Sequence, residues 1–252
     1  MNSAEPCDTN SPVRHSHWGF WGTIIWSVLI LAVFFALQIT TVVVLVMINS
    51  GPLSESELSE KIASSAYNGN VLSLTIVLTS LVCLGLLVGA AKLKHGSILK
   101  EYFAMKAVSL RTLVNWIGLL AGTLVLSDLL TRFLGRPIVP EFMSSAYATA
   151  NPVLPFWFAL VVAAPLFEEA LFRGFLFKGL ESSFAGPIGA VVATAGLWAA
   201  IHIQYDVPEI AIIFCVGLLL GMARIFTGSL LVPIGLHAIT NLAATIQAAL
   251  RL

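Results

Sequence analysis

Residues 154–180 read LPFWFALVVAAPLFEEALFRGFLFKGL. The stretch is apolar except for charged side chains at Glu168, Glu169 and Arg173 and a lysine at 178. It is long enough to cross a bilayer core of about 30 Å, which takes roughly 20 helical residues. Six further apolar stretches flank it, at 18–48, 70–91, 113–130, 187–203, 209–226 and 230–250. In lipid only helices and closed barrels satisfy their backbone, and continuous apolar runs lack the alternation of barrel strands. The reading is therefore an all-α, polytopic transmembrane helical bundle of about seven spans. Pro155, Pro187, Pro208 and Pro233 each fall in or just before a first turn, where a missing N–H does no harm.

Composition agrees. Of 252 residues, 58% are hydrophobic and 10% charged, against about 25% charged in an ordinary soluble domain. That excludes a soluble globular enzyme and a disordered chain. Thirteen basic side chains balance thirteen acidic ones, so no basic surface is left for a nucleic acid. Cys7, Cys83 and Cys215 form no CxxC pair and no disulfide framework.

The chain divides into a polar tail at 1–17, N-terminal spans with a basic loop at 18–110, and a core at 111–252. The run after the tail is too long for a signal-peptide core and reads as a retained, tilted first span. Lys and Arg fall nine on the side of the N-terminus and four on the other. Setting Arg173 aside as intramembrane leaves eight against four, so the tail is expected in the cytoplasm. Segment 92–111, basic and apolar by turns, is expected to form an interfacial amphipathic helix.

A charge at mid-helix costs roughly 2.5–3.5 kcal/mol on insertion scales, so the centre of 154–180 needs a reason. Glu169 and Arg173 are i and i+4 and can pair. Glu168 lies about 100° round the helix and escapes that pair. Pro165 removes a helical bond and bends the helix. The next span ends in Trp198-Ala199-Ala200-Ile201-His202, and the last carries His237 and Asn241 on one face. Counting from the turn near 185, Glu168 and His202 each lie about 25 Å along their helices. Counting from Lys178 and Gly228, Glu168 and His237 each lie roughly 14–15 Å deep. Glu168, His202, His237 and Asn241 thus reach one layer. The fifth span then stops short, leaving Gln204, Tyr205 and Asp206 at membrane depth beside an aqueous cavity.

Blander roles are assigned to the rest. Glu169–Arg173 reads as a structural ion pair. Trp198, Phe167, Phe172 and Phe175 read as packing or lipid contact, and Asp128 and Asn115 as caps or interface residues. Gly217 and Gly221 read as close helix packing.

The three elements, Glu168-Glu169-x-x-x-Arg173, Trp198-x-x-x-His202 and His237-x-x-x-Asn241, resemble the CPBP intramembrane protease family, which comprises CAAX prenyl endoproteases and bacteriocin-processing (Abi) proteins. The resemblance covers roughly residues 110–250. Trp198 stands where Phe is commoner. The resemblance implies a protease that cuts a membrane-associated peptide or protein in or near the bilayer. The short form resembles bacterial members, which implies the inner (plasma) membrane and argues against a prenylated substrate.

On that reading Glu168 is the general base, His202 holds the water, and His237 and Asn241 meet the oxyanion. Glu169 and Arg173 support the helix. The same residues allow a metal version, with Glu168, His202 and His237 holding Zn²⁺ and a fourth position open. Two other classes remain: a proton- or ion-coupled transporter, and a non-catalytic immunity or scaffold protein.

Overall fold

The computed structural model describes residues 17–251. Cys7, Arg14 and nearly all of the 1–17 tail lie outside them. The described residues contain helices and no strand: α1 (Phe20–Ser50), α2 (Glu55–Ser65), α3 (Gly69–Leu93), α4 (Leu99–Tyr102), α5 (Leu110–Phe133), α6 (Glu141–Thr149), α7 (Val153–Glu181), α8 (Gly186–Ala200), α9 (Val207–Thr227) and α10 (Leu231–Ala249). Six of these are long and apolar enough to cross a membrane. The seventh expected span, α8, has 15 residues, about 22 Å of helix, and stops short as its count implied.

The helices begin where their chemistry allows. Ser54 and Glu57 form a reciprocal capping box on α2. Asn68 and Ser109 cap α3 and α5 through their side chains. Pro187 and Pro208 sit in the first turns of α8 and α9. Gly228 ends α9 in the left-handed conformation, which permits the tight turn into α10.

The bundle is built around α7. In its most apolar window 44% of residues are buried, against 6% in α1 and in α5. Helix α1 packs on α3 and on the C-terminal half of α7, with Gly179 directly against Thr23. Helix α8 lies along α9 over its whole length. A Cβ at Gly221 would stand 2.8 Å from Val191, and one at Gly217 would stand 3.0 Å from Ala195. The GxxxG pair is thus consumed inside the molecule.

The loop at 92–111 departs from the amphipathic helix expected. Only Leu99–Tyr102 is helical. Gly96 and Ala104 adopt positive φ, 76° and 48°, which breaks the helix on either side. Tyr102, Phe103 and Ala104 turn inward, with Tyr102 stacking on Phe175 at 5.6 Å, while Ile98 and Met105 stay exposed. The amide of Leu230 donates to the Ala104 carbonyl, and the Ser229 hydroxyl donates to that of Lys106. The loop closes the end of the bundle instead of lying on lipid.

Arg224, counted above among loop charges, is also buried. It sits in the last turn of α9, donates from Nε to the Arg173 carbonyl at 3.1 Å, and lies over the Phe177 ring.

Candidate active site

Helix α7 is not uniform. Residues Ala164–Glu169 are α-helical, but Ala159–Ala163 and Ala170–Leu176 on either side are π-helical. In the first wide turn the Ala164 amide donates to Ala159, five residues back. The next such bond, from residue 165 to the Leu160 carbonyl, cannot form because Pro165 has no N–H. The Asn241 side-chain amide supplies the missing donor, Nδ2 to Leu160 O, 2.7 Å. One substitution-sensitive position on α7 is thereby tied to α10.

Glu169 and Glu168 meet different surroundings. Glu169 is fully buried, and its Oε1 accepts from Arg173 Nη1 and from His237 Nδ1, both at 2.9 Å. Arg173 is equally buried, donates from Nη2 to the Gly217 carbonyl at 3.1 Å, and lies 4.7 Å from the Trp198 ring centre. The i, i+4 pair expected from the sequence is present, and His237 joins it. Glu168 points instead into a cavity of about 580 Å³. Its Oε2 accepts from the Trp198 indole, and His237 Nε2 stands 4.0 Å from that same oxygen.

His202, one turn beyond Trp198, places Nδ1 2.7 Å from the Trp198 carbonyl. A carbonyl only accepts, so Nδ1 carries the hydrogen and Nε2 offers its lone pair. The same logic gives His237 an Nδ1–H toward Glu169 and leaves Nε2 on the Glu168 side. Both imidazoles stand edge-on to Trp198, with ring centres at 5.1 and 5.0 Å.

Glu168, His202, His237 and Asn241 all line the cavity, as their matched depths foretold. From this layer the cavity runs toward the end of the bundle that carries α2 and α6, with Ile62 and Met143 in its wall. Gln204 and Tyr205 line it too, on the irregular chain after α8. Asp206 does not. It is turned outward to Arg136, which also binds Glu209. Much of the wall is apolar: Phe34 and Phe35 from α1, Leu72 and Ile76 from α3, Ile212 and Ile213 from α9.

The sequence reading missed two features. Trp198 is a hydrogen-bond donor to the site and not simply packing; the signal available was its position one turn before His202 with a polar N–H. Asp128 neither caps a helix nor faces lipid. It lines the cavity and accepts from Gln247 of α10 at 2.8 Å. That pairing spans 119 residues and leaves no local trace.

Among the described residues, no three His, Cys, Asp or Glu side chains are arranged to hold one metal ion. Glu168 Oε2 is engaged by the indole, and the nearest imidazole nitrogen, His237 Nε2, is 4.0 Å from it, whereas two ligands on one tetrahedral zinc with bonds of about 2.0–2.2 Å stand ~3.3–3.6 Å apart. As arranged, Glu168 Oε2 is bonded to the indole, and the described residues form no three-ligand site.

Apolar helices that gather a carboxylate, two imidazoles and an amide beside one cavity define an integral membrane protein with a polar cluster inside its bundle. Residues 150–243 match the family described as type II CAAX prenyl endopeptidase Rce1-like. The matched segment contains all three motifs, and over these residues the chain is similar to that family. A protein of Escherichia coli described as "Uncharacterized 24.3 kDa protein" is 35% identical over 130 residues, covering 49% of this chain and 59% of that protein. The chain thus spans less than two thirds of that relative's length. No solved structure matches.

Proposed function

We propose that the protein is an intramembrane endopeptidase of the CAAX-protease type, with Glu168 as general base. The observation that carries this is the contrast at adjacent positions. Glu169 is sealed against Arg173 and His237, while Glu168 faces the cavity with one carboxylate oxygen uncommitted. The family match supports the reaction class.

In the reaction a water sits between Glu168 and the lone pair of His202 Nε2. Glu168 takes a proton from it as its oxygen attacks the scissile carbonyl, and later delivers that proton to the leaving amine. The carbonyl oxygen becomes an oxyanion. The second Nδ2 hydrogen of Asn241, the one not used on Leu160, donates to it. His237 donates from Nε2 when that nitrogen is protonated, with its other nitrogen anchored on Glu169. Glu169 and Arg173 hold His237 and α7 in place and touch no substrate.

The substrate is a membrane-associated peptide or protein segment that reaches Glu168 through the cavity. The distribution of Lys and Arg supports a cytoplasmic N-terminus, the resemblance to bacterial members supports an inner membrane, and on this reading the cavity runs toward the extracytoplasmic side. Reporter fusions at position 100 should report cytoplasm, and fusions after Leu252 the exterior. A cytoplasmic C-terminus would reverse the direction of substrate access. The activity itself is tested by comparing membrane proteomes of cells carrying native and Glu168→Ala protein. The expected result is at least one protein terminus present only with the native form. Identical termini would contradict proteolysis.

A further inference from the structure

Trp198 touches Glu168, His202, His237 and Arg173, and the mechanism above gives it nothing to do. Its indole Nε1 donates to Glu168 Oε2 at 2.5 Å, short even for a bond to a charged acceptor. Its carbonyl takes the Nδ1 hydrogen of His202. Its ring stands edge-on to His202 and His237 and carries the Arg173 guanidinium on its face. The indole is 3% exposed and is seated by Gly217, where a Cβ would come within 3.1 Å of Trp198 Cε3.

An aromatic ring at this position could serve for packing alone, and phenylalanine would then do as well. What tryptophan adds is one hydrogen-bond donor, and an indole N–H donates but never accepts. The donor is directed at one oxygen of one carboxylate. With one lone pair of Oε2 engaged, Oε1 of Glu168 is the less committed oxygen and the better placed to take a proton.

We infer that Trp198 is a positioning residue: through the Nε1–H···Oε2 bond it fixes the Glu168 carboxylate so that Oε1 faces the water. The catalytic part of this rests on Glu168 being the base. The hydrogen bond and its geometry do not.

The test uses the full-length protein with ¹⁵N-labelled tryptophan, reconstituted in lipid nanodiscs. Of its six indole resonances, Trp198→Phe identifies one by its loss. That resonance should lie downfield of the other five and move upfield in Glu168→Gln, where the acceptor loses its charge. In parallel, Trp198 is replaced by benzothienylalanine, which keeps the fused ring and exchanges the N–H for sulfur. With a peptide substrate, kcat should fall about tenfold or more, as for loss of a hydrogen bond to a charged group, while KM stays within about twofold and the melting temperature holds. A wild-type kcat in the benzothienylalanine variant, or a Trp198 resonance indifferent to Glu168→Gln, would overturn the inference. If the native protein cleaves no peptide, the protease reading fails, and the resonance alone decides whether Trp198 holds Glu168.

Discussion

The two halves of α7, divided between Glu168 and Glu169, are built on opposite principles. From Glu169 to Phe177 every residue is buried. Arg173 is fully buried, Arg224 reaches in from α9 to the Arg173 carbonyl, and Phe172, Phe175 and Phe177 are completely covered. Above that level the helix borders a cavity, and its polar groups keep unused capacity: one oxygen of Glu168, one amide hydrogen of Asn241, one lone pair on each histidine. The buried half is held by packing and by the Glu169–Arg173–His237 contacts, while the half at the cavity has donors and acceptors within reach of a bound molecule. Two carboxylates adjacent in sequence are separated into these roles by a rotation of about 100°.

Disturbing the closed half should have the largest effect on folding. Arg173→Ala leaves Glu169 buried with only His237 for company. Breaking a buried pair in this way typically costs 3–5 kcal/mol, so the yield of folded protein in detergent should drop sharply. Wild-type thermal stability in purified Arg173→Ala would erase the distinction between the halves.

Asn241 lies on the boundary and sharpens the comparison. Asn241→Ala removes the proposed oxyanion donor, a loss that elsewhere costs about 10²–10³ in kcat. It also strands the Leu160 carbonyl that Pro165 leaves open, at about 1–3 kcal/mol. Both losses are expected, one in kinetics and one in a thermal melt. A kinetic loss with no change in stability would mean that the Leu160 bond contributes nothing.

Much of the site could be read from spacing because charge in lipid is so costly. Glu168, Glu169 and Arg173 stand out in an apolar run, and the i, i+4 relation pairs the right two. Helix rise alone brings His202 and His237 to the depth of Glu168. What could not be read depends on long-range packing. The first π turn of α7 is accommodated by Pro165 together with Asn241, 76 positions apart. The bond from Trp198 to Glu168 depends on a rotamer set by Gly217. The inward folding of Tyr102 and Phe103 depends on Phe175, and Phe103 on Gly174, where a Cβ would stand 2.8 Å from its ring. The local pattern of 92–111 shows only alternating basic and apolar residues, which suits a membrane surface equally well.

The central claim is that Glu168 is the open-side base. Glu168→Gln keeps the size of the side chain and its place beside Trp198 while removing the base. The measurement is the rate of peptide cleavage by purified, reconstituted native and Glu168→Gln protein, each before and after treatment with a chelator and metal analysis. The account predicts a fall of at least 10²–10⁴ on substitution, with folding intact, and native activity that survives chelation in metal-free protein. Cleavage by Glu168→Gln at the native rate would contradict the assignment. Stoichiometric zinc whose removal reversibly abolishes activity would show that Glu168 serves as a ligand instead of the base.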